Sequence, residues 1–198
     1  MKKRIVLLFL VCFFICCFSG CVASTNEVNT MEYKSQKLIV DDEVIALNDD
    51  FRVIEPVWWS VSIYDGEKQY NNDLEQFSLP QRYVFAIEWY MAEVNNGGHD
   101  QFYYNSTGIV WEDAMKGFQE IGAQENYSII RGSANAIGGN PNKDREKRQD
   151  EMEKYEPDFT ELDERFYASE SSMIEKLQAY IKENADSFYF NGEVKMPE

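Results

Sequence analysis

Residues 93–108 read EVNNGGHDQFYYNSTG, and they gather the residue types that could do chemistry. His99, the chain's one histidine, stands beside Asp100. A histidine next to a carboxylate can serve as a general base or a metal ligand. Gln101, Tyr103, Tyr104 and Asn105 could complete a small-ligand site around it. The rest of the chain gives this site little support. Ser-His-Asp catalysis needs a serine on a strained turn, and no Gly-x-Ser-x-Gly pattern occurs; Ser133, in RGSANA, falls mid-helix and lacks the second glycine. The glycine pairs in NNGGHD and IGGNPN match neither the dinucleotide fingerprint nor a P-loop. Among 35 acids, neighbouring carboxylates arise by chance and carry no signal. No catalytic residue, metal ligand or cofactor is therefore assigned, and a non-enzymatic protein is expected. A ligand-binding or enzymatic loop at residues 95–105 around His99 stands as the alternative.

The elements that would position this loop read as helices. Ser78-Leu79-Pro80-Gln81 has the spacing of a capping box with a proline in the first turn. Behind it Tyr83, Val84, Ile87, Tyr90, Met91 and Val94 recur at helical spacing, and Asn95-Asn96-Gly97-Gly98 reads as the stop. Trp111, Met115 and Phe118 then close at Gly122, and Tyr127, Ile130, Ala134 and Ile137 close at Gly138-Gly139. Phe159, Leu162 and Phe166, followed by Met173, Ile174, Leu177 and Ile181, supply two further amphipathic segments. Upstream, Glu55-Pro56 opens a helix over VWWSVSIY that Asp65-Gly66 ends, and KLIVDDEVIAL reads as a small hairpin or an extended lead-in. The expected fold is all-α, roughly six to seven helices in a single domain over residues 37–198.

The chain begins MKKRIVLLFLVCFFICCFSGC: three cations, an apolar run shorter than a membrane-spanning helix needs, then small residues before Cys21. That is the layout of a signal peptide over residues 1–20. The Phe18-Ser19-Gly20-Cys21 ending resembles the lipobox of bacterial lipoproteins, which implies that Cys21 becomes the acylated, palmitate-bearing first residue. Its acyl chains would hold the protein to the exported side of the cell membrane. All four cysteines (Cys12, Cys16, Cys17, Cys21) lie in or at the end of this leader, so the exported domain has no disulfide, thiolate metal site or cysteine nucleophile of its own. Residues 21–36 are polar and aperiodic and read as a flexible tether.

Net charge is −16, and loss of the leader's cations makes the exported part more acidic still. Such a surface repels nucleic acid and anionic headgroups and attracts a basic protein surface. The acids concentrate at Asp150, Glu151, Glu153, Glu156, Asp158, Glu161, Asp163 and Glu164, against Lys154 alone. Those eight are the candidate partner-binding surface. The preceding KDREKR, residues 143–148, is by contrast net basic.

Glu93, Asn95, Asn96, Gly97, Gly98, Gln101, Phe102, Asn105 and Ser106, with Gly108 and a following Ile121-Gly122-Ala123, resemble the signature of the bacterial DNA-mimic protein family. Pro141, the Arg145/Arg148 region, and Leu162-Asp163 with Phe166-Tyr167 resemble that family's second half. The resemblance spans about residues 55–185. It implies a mostly helical acidic domain, homodimeric like the family's founding member, whose carboxylates stand in for DNA phosphates on a protein that normally binds DNA. No catalytic residues come with it, and His99 falls on a position the signature leaves open. The signature residues themselves are expected to form a structural turn. The reading is thus a membrane-anchored lipoprotein that binds a basic protein in an immunity or regulatory role, without binding nucleic acid directly. A passive envelope lipoprotein is the second alternative.

Overall fold

The computed structural model describes residues 32–197. The leader, the expected lipidation at Cys21 and the first part of the tether lie outside those residues. The described residues run as β1 (Tyr33–Val40), α1 (Asp42–Ile45), α2 (Asp50–Trp58), α3 (Gly66–Leu74), α4 (Leu79–Tyr104), a 3-10 turn (Ser106–Val110), α5 (Trp111–Glu120), α6 (Gln124–Ala136), α7 (Arg145–Tyr155), α8 (Thr160–Glu183), a second 3-10 turn (Ala185–Ser187) and β2 (Phe190–Pro197). The mostly helical expectation holds, with eight α-helices among the described residues.

Helix α4 is the spine. Its capping box forms as read: Ser78 Oγ accepts from the Gln81 amide and Gln81 Oε1 accepts from the Ser78 amide. Val84, Phe85, Ile87, Tyr90 and Val94 turn one face fully inward, against α2, α5 and α8. Tyr90 sits at the centre, with Phe102, Phe118 and Phe166 edge-to-face around it at centroid distances of 5.0, 5.4 and 5.5 Å. Each such aromatic pair adds about 1 kcal/mol beyond the area it buries. This cluster is the centre of a larger apolar core that α2, α4, α5, α6 and α8 share.

Several boundaries differ from the sequence reading. No local hairpin forms: β1 pairs antiparallel with the C-terminal β2, Tyr33 opposite Pro197 and Val40 opposite Phe190, while DEVI is helical because Asp41 caps it. The strand therefore starts inside the stretch read as tether. Helix α2 starts at Asp50, where Asp49 accepts from the Arg52 amide, and Pro56 lies well inside it. The missing N–H of that proline removes only the bond to the Arg52 carbonyl, and the helix runs on to Trp58; VSIY is not helical. Asp65-Gly66 opens α3 instead of only ending a helix. Phe159 through Ile181 forms one helix where two were read, and α7, too charged to show an apolar stripe, was not anticipated.

Candidate functional site

The helix α4 does not end at Asn95-Asn96-Gly97-Gly98. It breaks at Gly97 and Gly98 and resumes to Tyr104. Gly98 adopts φ 72° and ψ −173°, a conformation open essentially to glycine alone. The break turns the next residue, His99, into the core.

His99 is 0% exposed. Its backbone N–H and its Nδ1 both reach Asp163 Oδ1, at 3.0 and 2.5 Å, and its Nε2 lies 2.6 Å from Tyr90 Oη. These partners assign the tautomer: Nδ1–H donates to the carboxylate, and Nε2 accepts from the tyrosine hydroxyl. The order hydroxyl, imidazole, carboxylate is that of a catalytic triad. Here, however, the hydroxyl belongs to a fully buried tyrosine, and Phe159 and Tyr103 flank the ring at 5.5 and 6.5 Å. The other residues of the alternative site form no open pocket with it: the Tyr103 hydroxyl is bonded to Ser133 Oγ in the core, while Asp100 and Tyr104 are exposed. The cluster joins α4 to α8 as a buried polar clamp. Among the described residues no three metal-ligating side chains converge.

The remaining signature residues build the same joint. Glu93 Oε2 accepts from Gln101 Nε2 at 2.7 Å and from Asn105 Nδ2 at 3.0 Å, bridging the break from one half of α4 to the other. Asn95 Nδ2 donates to Glu170 on α8. Phe102 is buried against Tyr90, Ser106 opens the 3-10 turn, and Asn96 is exposed. The position left open by the signature, His99, is as fully enclosed as Phe102.

A second buried group centres on Arg148, a residue that the sequence marks only through the family resemblance. Arg148, 0% exposed, donates from Nε to the Tyr103 carbonyl, from Nη2 to the Asn105 carbonyl and from Nη1 to those of Asn142 and Lys143. No carboxylate pairs with it among the described residues, and burial lowers its pKa to about 10. Gly108 makes the space, because a Cβ there would lie 2.5 Å from Arg148 Nε. Arg145 and Gln149 both donate to the Tyr104 carbonyl, and Glu151 accepts from the Asn142 amide. One face of α7 is thereby fixed to the end of α4, and the other is left to solvent.

That geometry sorts the eight candidate acids. Asp163, 22% exposed on its side chain, belongs to the His99 clamp and not to a partner surface, and Glu151 is half-buried against the 142 amide. Asp150, Glu153, Glu156, Asp158, Glu161 and Glu164 are exposed where α7 turns into α8, and none makes an ion pair among the described residues. Glu156 is notable for its backbone. It holds the left-handed cap of α7 at φ 42°, where glycine or asparagine is usual. A side chain in that conformation costs about 1 kcal/mol.

The fold defines a class: a small, acidic, mostly helical domain with a buried polar clamp between α4 and α8 and exposed carboxylates at its α7–α8 turn. The model of the DMP19-like protein family matches residues 75–184, more than half of the chain, and the protein belongs to that DNA-mimic family. No curated protein and no solved structure matches the chain.

Proposed function

We propose that this protein is a membrane-anchored lipoprotein of the DNA-mimic class that uses the carboxylates of the α7–α8 turn to occupy a basic site on a partner protein. One observation carries the reading. Six exposed acids, in no ion pair among the described residues, fall between residues 150 and 164, a stretch whose backbone is tied down by the buried Arg148 and the half-buried Asp163. Carboxylates held in place can meet arginine and lysine side chains with charge-assisted hydrogen bonds, as phosphates do. The cap at Glu156 supports it further, since a strained backbone is retained where a carboxylate is presented.

The anchored, exported location rests on the leader and on Cys21, and an immunity role against a basic toxin is one concrete form. Among the described residues no helix is long and apolar enough to cross a membrane. Mass analysis of the N-terminal peptide from purified membranes tests the anchor: an acylated Cys21 supports it, and an intact leader or an unmodified cysteine contradicts it. The mimicry is tested by competition. Duplex DNA should displace the protein from a partner captured with it; a partner indifferent to DNA and to salt contradicts the reading.

A further inference from the structure

The two-stranded sheet leaves the outer edge of β1 without a neighbouring strand among the described residues. The ladder is regular over eight residues, one residue opposite one throughout, so no bulge twists that edge away from a partner. A groove of about 340 Å³ runs beside it, bounded by Gln36, Lys37, Leu38, Ile39 and Val40 on one side and by Val44, Arg52, Glu55 and Pro56 on the other. Successive strand residues point to opposite faces of a sheet. Five consecutive β1 residues border the groove and no residue of β2 does, so it follows β1 on the side away from its partner strand, where backbone N–H and C=O groups are on offer.

The charge of the groove is unusual for this molecule. Lys37 and Arg52 both line it, and neither side chain makes an ion pair among the described residues, although the chain holds 35 acids. Glu55, the acid in the lining, accepts from Trp59 Nε1 at 3.4 Å. Leu38, Val40, Val44 and Pro56 supply the apolar floor. We infer that the β1 edge is a docking site for an extended segment of another protein, paired to β1 through its backbone and carrying a carboxylate between apolar residues. A second copy of this chain fits poorly, because its net charge of −16 repels an equally acidic molecule. This site is separate from the acidic turn and does not depend on that reading.

The test uses the full chain in detergent micelles and a fluorescent peptide, Thr-Val-Glu-Val-Thr-Val, with two controls: the same peptide N-methylated at alternate residues, and one with Lys in place of Glu. The expected result is saturable binding, slowed amide exchange within residues 36–40, and a loss of at least tenfold in affinity for either control peptide. In the double variant Lys37→Glu/Arg52→Glu the preference should reverse toward the Lys peptide, an outcome that misfolding would not produce. Equal binding of the N-methylated peptide overturns the strand pairing. Unchanged peptide preference in the double variant, no binding at millimolar peptide, or self-association that the peptide blocks would each overturn the proposal.

Discussion

Gly98 and Asp163 compete for one space: a Cβ on residue 98 would lie 2.5 Å from Asp163 Oδ2. The glycine is therefore the condition for the carboxylate that holds His99. Gly98→Ala should strain the backbone and displace Asp163 together, lowering stability by about 2–4 kcal/mol in urea denaturation. Tyr90→Phe removes the donor to His99 Nε2 and leaves a buried acceptor unsatisfied, which costs about 1–3 kcal/mol.

Arg148 is a buried cation surrounded by carbonyl oxygens, so Arg148→Met leaves four acceptors with one donor group fewer each. A loss of about 3 kcal/mol or more is expected. Hydrogen exchange should locate the damage in α7 and residues 140–144, with the α4–α5 core still protected.

Glu156→Gly separates binding from stability. Glycine relieves the left-handed cap and should raise stability by about 0.5–1 kcal/mol, while partner affinity falls for lack of the carboxylate. A variant that gains stability and keeps full affinity would remove Glu156 from the interface.

Burial, reinforced by the charges of Asp50 and Asp49, raises Glu88 from 4.5 to about 8. Burial also raises Asp50 from 3.8 to about 6, with Asp49 adding to it and the Gln178 hydrogen bond and Lys182 opposing it. Both folded values exceed the unfolded ones, so these two groups favour the fold most below about pH 4 and their contribution is lost as pH rises through 6 and then 8, by at most about 1.4 kcal/mol per pH unit and group. Thermal unfolding of Glu88→Gln should match the wild type near pH 4 and exceed it above pH 8.

The helical framework was legible wherever an apolar stripe and a cap coincided, as in α4, α5 and α6. Two kinds of element were not. Helix α7 has no apolar stripe, since the group that docks it is an arginine buried among carbonyls, and periodicity is blind to that. The pairing of β1 with β2 joins the two ends of the described chain, and no local pattern predicts a partner more than 150 residues away. At the site, NNGGH was legible as a turn, but read as a helix end because glycines usually stop helices. Its real role, a break that turns His99 toward Asp163, depends on a carboxylate 64 residues distant. The same distance concealed that Asp163 is not surface charge. Its run of acidic neighbours suggests a solvated face, and six of the eight are exposed.

The central claim is that the exposed acids of the α7–α8 turn bind a basic site electrostatically. The direct measurement is the affinity of the captured partner as a function of salt. It compares the native protein with a variant carrying Asn or Gln at 150, 153, 156, 158, 161 and 164. The account predicts that affinity falls at least a hundredfold between about 0.05 and 0.5 M salt for the native protein, and that the variant binds weakly with a shallow salt dependence. Equal affinity of the two proteins, or binding that ignores salt, would contradict it.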